Sequence, residues 1–213
     1  MLVGERMSSP VITLTPDTPI QDAMAIFKKE HIRRAPVIKD GKLIGMVSDG
    51  DLLNASPSPV TTLSVWEMHY LLSKITVKEV MAKKVITIDE NTPIEEAARI
   101  MADNKVSGLP VVEDGAVKGM ITETDLFKIF LEFMGARDRG IRVTAVVDDK
   151  PGSLAKITKA IADAGGNFIA FGQFAGPDTS TKLLTFKIAG MKKEEVKKAV
   201  EKIVKKFWDI RQS

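Results

Sequence analysis

The sequence contains no cysteine, which excludes disulfides, a thiolate nucleophile and any metal site built on sulfur. Its only two histidines, His31 and His69, stand neither at ligand spacing nor beside a second ligand of the usual kind, so a metal site is not expected. Also missing are Gly-x-Ser-x-Gly, Gly-x-Gly-x-x-Gly and a phosphate loop ending in Gly-Lys-Ser/Thr, and nothing sets a nucleophile beside its base. The expectation is a protein that is not an enzyme. No apolar run approaches the length of a membrane span, and the N-terminus lacks the basic head and apolar core of a signal peptide. A cytoplasmic location without a membrane partner is therefore expected. A net charge of +3 offers no electrostatic ground for nucleic-acid binding.

What is present is an ordinary globular composition, 44% hydrophobic and 28% charged over 213 residues, enough for one large domain or two smaller ones. Its main feature is a duplication. Gly45-Met46-Val47-Ser48-Asp49-Gly50-Asp51-Leu52 returns as Gly119-Met120-Ile121-Thr122-Glu123-Thr124-Asp125-Leu126, an offset of 74 residues. The same offset pairs Met7 with Met81, Thr13 with Thr87, Pro36 with Pro110 and Asp40-Gly41 with Asp114-Gly115.

Each copy starts with a short apolar run (Val11-Ile12, Val85-Ile86), followed by Thr-Pro and an amphipathic helix carrying Ile20, Ala23, Met24, Ile26 and Phe27, or Ile94, Ala97, Ala98, Ile100 and Met101. Two strands joined at Asp40-Gly41 or Asp114-Gly115 come next, since an Asp-Gly pair tolerates positive φ at both turn positions. The second strand then runs into Ser/Thr-x-x-Asp at a helix start. Two readings stand there. Ser48 and Thr122 can cap their helices, with Asp51 and Asp125 complementing the dipole. Alternatively, the hydroxyls and free N–H groups take a phosphate and the aspartates accept from a ribose diol.

At these residues the chain resembles the CBS-domain pair, or Bateman module, whose repeat ends in Gly-h-h-Thr/Ser-x-x-Asp and carries a proline before its central strand. The resemblance spans roughly residues 7 to 130. It implies an adenosyl ligand (AMP, ADP, ATP or S-adenosylmethionine) in a cleft between the repeats, with Asp51 and Asp125 on the ribose and Ser48 and Thr122 on phosphate. Thr13, Thr87, Pro36 and Pro110 are carried over as further site positions. His31-Ile32-Arg33-Arg34 is more basic than its counterpart Lys105-Val106-Ser107-Gly108. In related modules this segment lines the cleft, so Arg33 or Arg34 can meet ligand phosphates; the other reading is two surface charges.

Met1 to Arg6 either extends the first strand or frays. Between the repeats, Ser56-Pro57-Ser58-Pro59 breaks the chain, and Val65 to Leu72 reads as a short helix capped by Ser64 with Trp66, Tyr70 and Leu71 on one face, for core packing or a partner. This insert resembles acetoin-utilisation AcuB-type proteins, in which a small regulatory domain follows the CBS pair.

Gly135-Ala136-Arg137-Asp138-Arg139-Gly140 marks a domain boundary. Beyond it a strand from Ile141, a helix bearing Leu154, Ile157, Ile161 and Ala162 and ended by Gly165-Gly166, and a hairpin over Asn167–Phe174 and Lys182–Ile188 are predicted. A lysine-rich helix follows, with an apolar stripe of Val196, Ala199, Val200, Ile203, Val204 and Phe207, and a short strand at Trp208 to Arg211. The lysines and glutamates outside that stripe read as a solvated face with mutual ion pairs. The order, with Asp149-x-Pro151-Gly152-x-Leu154 and Gly166-Asn167, resembles the ACT domain. That likeness implies association side by side and an amino acid or similar effector near Asp149, Gly152 and Asn167; a tight turn at Pro151-Gly152 and a strand-entry residue at Asn167 are the other reading. The expected fold class is α/β (α+β): tandem CBS repeats forming a Bateman module over 1–134 (repeats about 7–55 and 78–130) and a ferredoxin-like ACT domain over 140–213, in a homodimer.

Overall fold

The computed structural model describes residues 1–55, 67, 70 and 73–213, which form two compact units, Met1–Leu126 and Phe127–Ser213. Among the described residues no helix is long and apolar enough to cross a membrane. The Ser-Pro-Ser-Pro break, the Ser64 cap, Trp66 and Leu71 lie outside them. Tyr70 is described and exposed, with Lys74 Nζ 5.2 Å from its ring centroid.

In the first unit, α1 (Ile20–Lys29) buries Ile20, Ala23 and Phe27, one face at helical spacing. Strands β1 (Arg34–Lys39) and β2 (Lys42–Ser48) form an antiparallel hairpin. Its turn has φ of +51° at Asp40 and +76° at Gly41, the two left-handed residues of a type I′ turn. Ala35, Val37 and Val47 pack in the core, and the register shifts beyond them, at Val37/Ile38. Helix α2 (Asp49–Asn54) follows β2 directly and buries Leu52.

The second copy repeats this. After the short α3 (Val77–Val80) comes α4 (Ile94–Asn104), which buries Ile94, Ala97 and Met101. Strands β3 (Gly108–Glu113) and β4 (Ala116–Thr122) pair with φ of +51° at Asp114 and +82° at Gly115, and the same register shift falls at Val111/Val112. Helix α5 (Glu123–Phe133) then leaves the unit.

The apolar runs before the first helices are reduced to single parallel bridges, Leu14 with Val37 and Ile88 with Val111. Leu14 N–H donates to Pro36 O at 3.0 Å and Ile88 N–H to Pro110 O at 3.1 Å. Neither proline has an N–H with which to continue the ladder backwards, so Val11-Ile12 and Val85-Ile86 form no strand.

The segment in front of each copy crosses to the other one. Ser8 exchanges backbone hydrogen bonds with Met120 at 2.9 and 3.0 Å, and Met46 with Ala82 at 2.9 and 2.8 Å. Val3 N–H donates to Thr92 O at 2.9 Å and Val77 N–H to Thr18 O, also at 2.9 Å. Met1 to Arg6 therefore neither extends a strand nor frays: Val3–Glu5 is a 3-10 turn seated on the second copy with Val3 fully buried. The 74-residue offset holds for every one of these contacts, so the two copies form a pseudo-twofold pair sharing their ends.

The second unit is built from β5 (Ile141–Asp148), α6 (Ser153–Asp163), β6 (Asn167–Ala175), β7 (Thr181–Ala189), α7 (Lys193–Val200) and β8 (Lys206–Gln212). Its four strands are all paired antiparallel in the order β6-β7-β5-β8, the split β-α-β arrangement. Ile157 and Ile161 of α6 and Val196 and Val200 of α7 pack on Val143, Ala145, Leu184, Phe186 and Ile188. On the sheet's other face, Thr144 and Thr185 share a hydroxyl hydrogen bond at 3.2 Å. Beside them the buried Lys187 donates from Nζ to Gly135 O at 2.9 Å and to Asp138 O at 2.5 Å.

The lysine-rich helix is shorter than its apolar stripe implies. It stops at Val200, Lys205 N–H donates to Val146 O at 2.8 Å, and Phe207 sits on β8 opposite Ala145. The open edge of β5 competes for these residues and wins, because a full strand of ladder bonds outweighs the helical preference of one more turn. Ile203, Val204 and Phe207 still reach the same core, from a turn and a strand.

Candidate functional site

Where β2 becomes α2, Ser48 has extended backbone angles (φ −112°, ψ 164°). Its N–H and hydroxyl both donate to Asp51 Oδ2, at 2.8 and 2.6 Å, while Asp51 N–H donates back to Ser48 Oγ at 3.3 Å. The second copy reproduces this: Thr122 N–H and Oγ1 donate to Asp125 Oδ2 at 3.0 and 2.6 Å, and Asp125 N–H to Thr122 Oγ1 at 3.4 Å. These are reciprocal capping boxes. They fix each carboxylate's direction, and they commit each hydroxyl proton to an aspartate.

The exchanged ends complete a cleft around the first of these turns. The Met46–Ala82 bridge lays Lys84, Val85 and Ile86 opposite Ser48 to Asp51, and Arg33, Arg34, Lys105 and Gly108 close the remaining side, around a volume of about 500 Å³. The walls thus come from both copies. Val85, Ile86 and Val106 offer apolar surface of the kind a planar base needs, and four cationic side chains surround two carboxylates, Asp49 and Asp51.

Arg34 is half-buried and lies over Gly108, where a Cβ would come within 3.0 Å of Arg34 Cδ. Burial lowers its pKa from the ordinary arginine value, Glu123 acts in the opposite sense, and Arg33 adds to the lowering. The guanidinium remains charged at any physiological pH. Arg33 donates from Nη2 to Thr124 Oγ1 at 3.4 Å, so it faces the second copy's turn.

Ser48, Asp51, Arg33 and Arg34 therefore line one cleft, and Thr122 and Asp125 form the equivalent turn in the other copy. Thr13 and Thr87 are exposed, and the first cleft's lining from the second copy's front segment ends at Ile86. Pro36 and Pro110 are buried on their strands, where their carbonyls accept the bridges from Leu14 and Ile88. Lys84 was not singled out in the sequence. Its counterpart is Pro10, and only the crossing of the two front segments brings it to Ser48.

In the second unit, Asp149 and Gly152 line a cavity of about 540 Å³ with Gln173 and Lys182. Lys182 Nζ lies 3.2 Å from Asp149 Oδ2, and Gly152 has φ +85°, a conformation that favours glycine before α6. Asn167 is exposed and pairs with Ala189, whereas Lys182 pairs with Ala175 at the far end of β6. The length of that strand separates Asn167 from Asp149 and Gly152.

An internally duplicated pair with exchanged ends and a two-copy cleft defines a tandem-repeat module, and the family model of the CBS domain matches residues 3–58 and 77–132. The chain belongs to the CBS-domain family. Protein MJ1426 of Methanocaldococcus jannaschii is 32% identical over 155 residues, covering 62% of this chain and 92% of its own length. Among solved structures, CBSX2, a CBS-pair protein of Arabidopsis thaliana, is seen in complex with AMP. It is 31% identical, with TM-score 0.51 over 61% of this chain and 96% of that one. The CBS domain pair of protein MJ0100 in complex with 5′-methylthioadenosine and S-adenosyl-L-methionine is 30% identical, with TM-score 0.51 over 61% and 99%. A Vibrio cholerae protein provisionally assigned as acetoin utilization protein AcuB is 27% identical, with TM-score 0.53 over 64% and 95%.

Proposed function

We propose that this protein is a non-enzymatic regulatory sensor that takes an adenosyl ligand in the cleft between its two CBS repeats. The observation that carries the reading is the two-copy cleft of about 500 Å³ in which Asp51 is held by two hydrogen bonds from Ser48. A carboxylate fixed in this way accepts hydrogen bonds from a ribose diol, the apolar walls take the base, and the surrounding cations take phosphate. AMP in CBSX2, and methylthioadenosine with S-adenosylmethionine in the MJ0100 pair, support the choice of AMP, ADP, ATP or S-adenosylmethionine as ligand. Asp125 with Thr122 serves a second half-site.

Residues 140–213 form an ACT domain in this reading, following a Bateman module over 1–134, and contribute homodimerisation and an amino-acid effector site at Asp149 and Gly152. The split β-α-β sheet and the cavity beside Gly152 support it. Ligand binding between the repeats selects one of two module conformations and passes that bias to the assembly. The setting is cytoplasmic, and the AcuB likeness points to acetoin utilisation as the regulated process.

A ligand-independent assembly scaffold is the second reading. It is favoured by Phe127, Phe130 and Phe133, which α5 leaves 68%, 54% and 59% exposed. Thermal melting with AMP, ADP, ATP and S-adenosylmethionine separates the two. A ligand that binds only the folded state, present at a hundredfold over its Kd, adds about 2.7 kcal/mol. A raised melting temperature with at least one adenosyl compound supports the sensor; an unmoved melting temperature across the panel supports the scaffold.

A further inference from the structure

With no cysteine in the chain, the thioethers of ten methionines are its only sulfur. Two of them, Met7 and Met81, stand at equivalent positions of the repeats, and each seats on the opposite copy at a glycine. Met7 lies over Gly119 of β4, so close that a Cβ there would overlap its sulfur, and Met81 lies over Gly45 of β2 in the same way. In each case the very next residue makes the crossing bridge, Ser8 with Met120 and Ala82 with Met46. The two thioethers are thus pegs for the exchanged ends. Beyond Met81 the chain continues into Lys84, Val85 and Ile86, which wall the cleft at Ser48 and Asp51. Both pegs are part-exposed, between Met101 at 2% and Met1 at 57% exposure. Sulfur placed in this way is open to a small oxidant while its apolar contacts still carry packing, the combination in which oxidation has structural consequences.

We propose that Met7 and Met81 are a matched pair of oxidation sites, through which a hydroperoxide loosens the crossing of the two copies and lowers ligand affinity. The loss of affinity rests on the sensor reading above; the loosening does not. The thioether lone pair attacks one peroxide oxygen, and an S–O bond forms as the O–O bond breaks. The proton of the transferred hydroxyl passes to the departing oxygen, which leaves as water or an alcohol. Sulfur gives up two electrons and the peroxide takes them. The product sulfoxide is bulkier and strongly polar, so it no longer suits an apolar seat on a strand glycine. Met81 has the tighter seat of the two, because a Cβ at Gly45 would also stand 3.0 Å from Ala82 O. A sulfoxide oxygen is an acceptor, and there it is brought near a second acceptor that is already committed to Met46 N–H. Lifting Met81 draws Ala82 off Met46 and takes the wall of Lys84, Val85 and Ile86 away from Asp51.

The test treats the full chain with hydrogen peroxide, maps sulfoxides by peptide mass spectrometry, and follows urea denaturation and AMP titration, with the double change Met7→Leu and Met81→Leu alongside. Sulfoxide is expected at Met7, Met81 and the exposed Met1, and not at the buried Met101. The oxidised protein is expected to unfold at lower urea and to bind AMP about tenfold more weakly. Methionine sulfoxide reductases are expected to restore both. The leucine pair keeps the volume of the pegs without their sulfur. Under peroxide its urea midpoint is expected to hold, and its AMP affinity to change by less than about twofold. Met7 and Met81 left unmodified while Met1 is converted, an unmoved urea midpoint in the oxidised wild type, or an equal peroxide response in the leucine pair would overturn the assignment while leaving the sensor reading intact. Absence of AMP binding by the untreated protein would count against the sensor reading instead, and the urea midpoint, which needs no ligand, still decides the loosening.

Discussion

Arg34 and Gly108 occupy the same position in the two copies of the repeat, and Arg34 extends over Gly108. A Cβ at residue 108 would meet Met120 Cε at 2.9 Å and Arg34 Cδ at 3.0 Å. Both are ends of flexible side chains, which can yield at modest cost. Gly108→Ala is therefore expected to cost about 1 kcal/mol in urea denaturation, the low end of overpacking. It is also expected to weaken AMP binding severalfold by moving the guanidinium. A variant with wild-type affinity would show that Arg34 is not part of the ligand cleft.

The exchanged ends rest on two more glycines. A Cβ at Gly119 would collide with the side chain of Met7, and one at Gly45 with that of Met81 and, at 3.0 Å, with Ala82 O. Met7 can swing away, but the backbone carbonyl of Ala82 is tied to Met46. Gly45→Ala is expected to cost about 2–3 kcal/mol and Gly119→Ala about 1 kcal/mol. Denaturation midpoints measure this, and a reversed order would contradict the crossing.

Val3 stands outside the first copy's own elements yet is fully buried against the second. Val3→Ala is expected to destabilise the first unit by about 2 kcal/mol through lost apolar burial and the cavity left behind. A neutral substitution, read by the same denaturation curves, would mean that the first residues are not docked.

Lys187 supplies two backbone carbonyls, those of Gly135 and Asp138, from a buried position. Lys187→Met preserves the stem and removes the donors, leaving both carbonyls to find other partners. The expected loss is about 1–3 kcal/mol, accompanied by faster amide hydrogen exchange at residues 135–140. Unchanged exchange there would contradict the role.

The acid response of the second unit has a definite sign. The Lys205 ammonium bound to Asp148, with Lys150 nearby, holds that carboxyl below its ordinary value. The Ser180 hydroxyl and N–H do the same for Asp178, and the Arg211 guanidinium, helped by Arg142, does so for Asp209. Carboxyls depressed by folding contribute stability that is fully present above the unfolded value of about 4 and is lost as pH falls through the folded value. Asp178 is exposed and Asp148 and Asp209 are partly so, and water screens all three, so the contribution is small. Melting temperature is expected to be level from neutral pH to about 4 and to decline below it, with a smaller decline in Lys205→Ala.

Local patterns in the sequence carried the hairpins, the capping boxes and the helix faces, because each rests on residues within a few positions of one another: Asp40-Gly41, Ser48 with Asp51, and Ile20, Ala23 and Phe27. The constant offset carried the pairing of the copies. What local pattern could not carry was set by distant partners. Nothing near Val3 says that it docks by Thr92, and Lys84 reaches Ser48 only through the bridge between Ala82 and Met46. The stripe through Phe207 fits a helix, yet the edge of β5 claims it as strand. Asn167 is separated from Asp149 in sequence by the single helix α6, and it stands a strand's length away from it.

The central claim is that an adenosyl ligand sits in the cleft between the repeats with its ribose on Asp51. A crystal structure of the protein grown with AMP tests it most directly. The account predicts a nucleotide with its ribose hydroxyls on the Asp51 carboxylate, its base against Val85 and Ile86, and its phosphate toward Lys84 and Arg34. AMP bound elsewhere on the chain, or with its ribose turned away from Asp51, would contradict it.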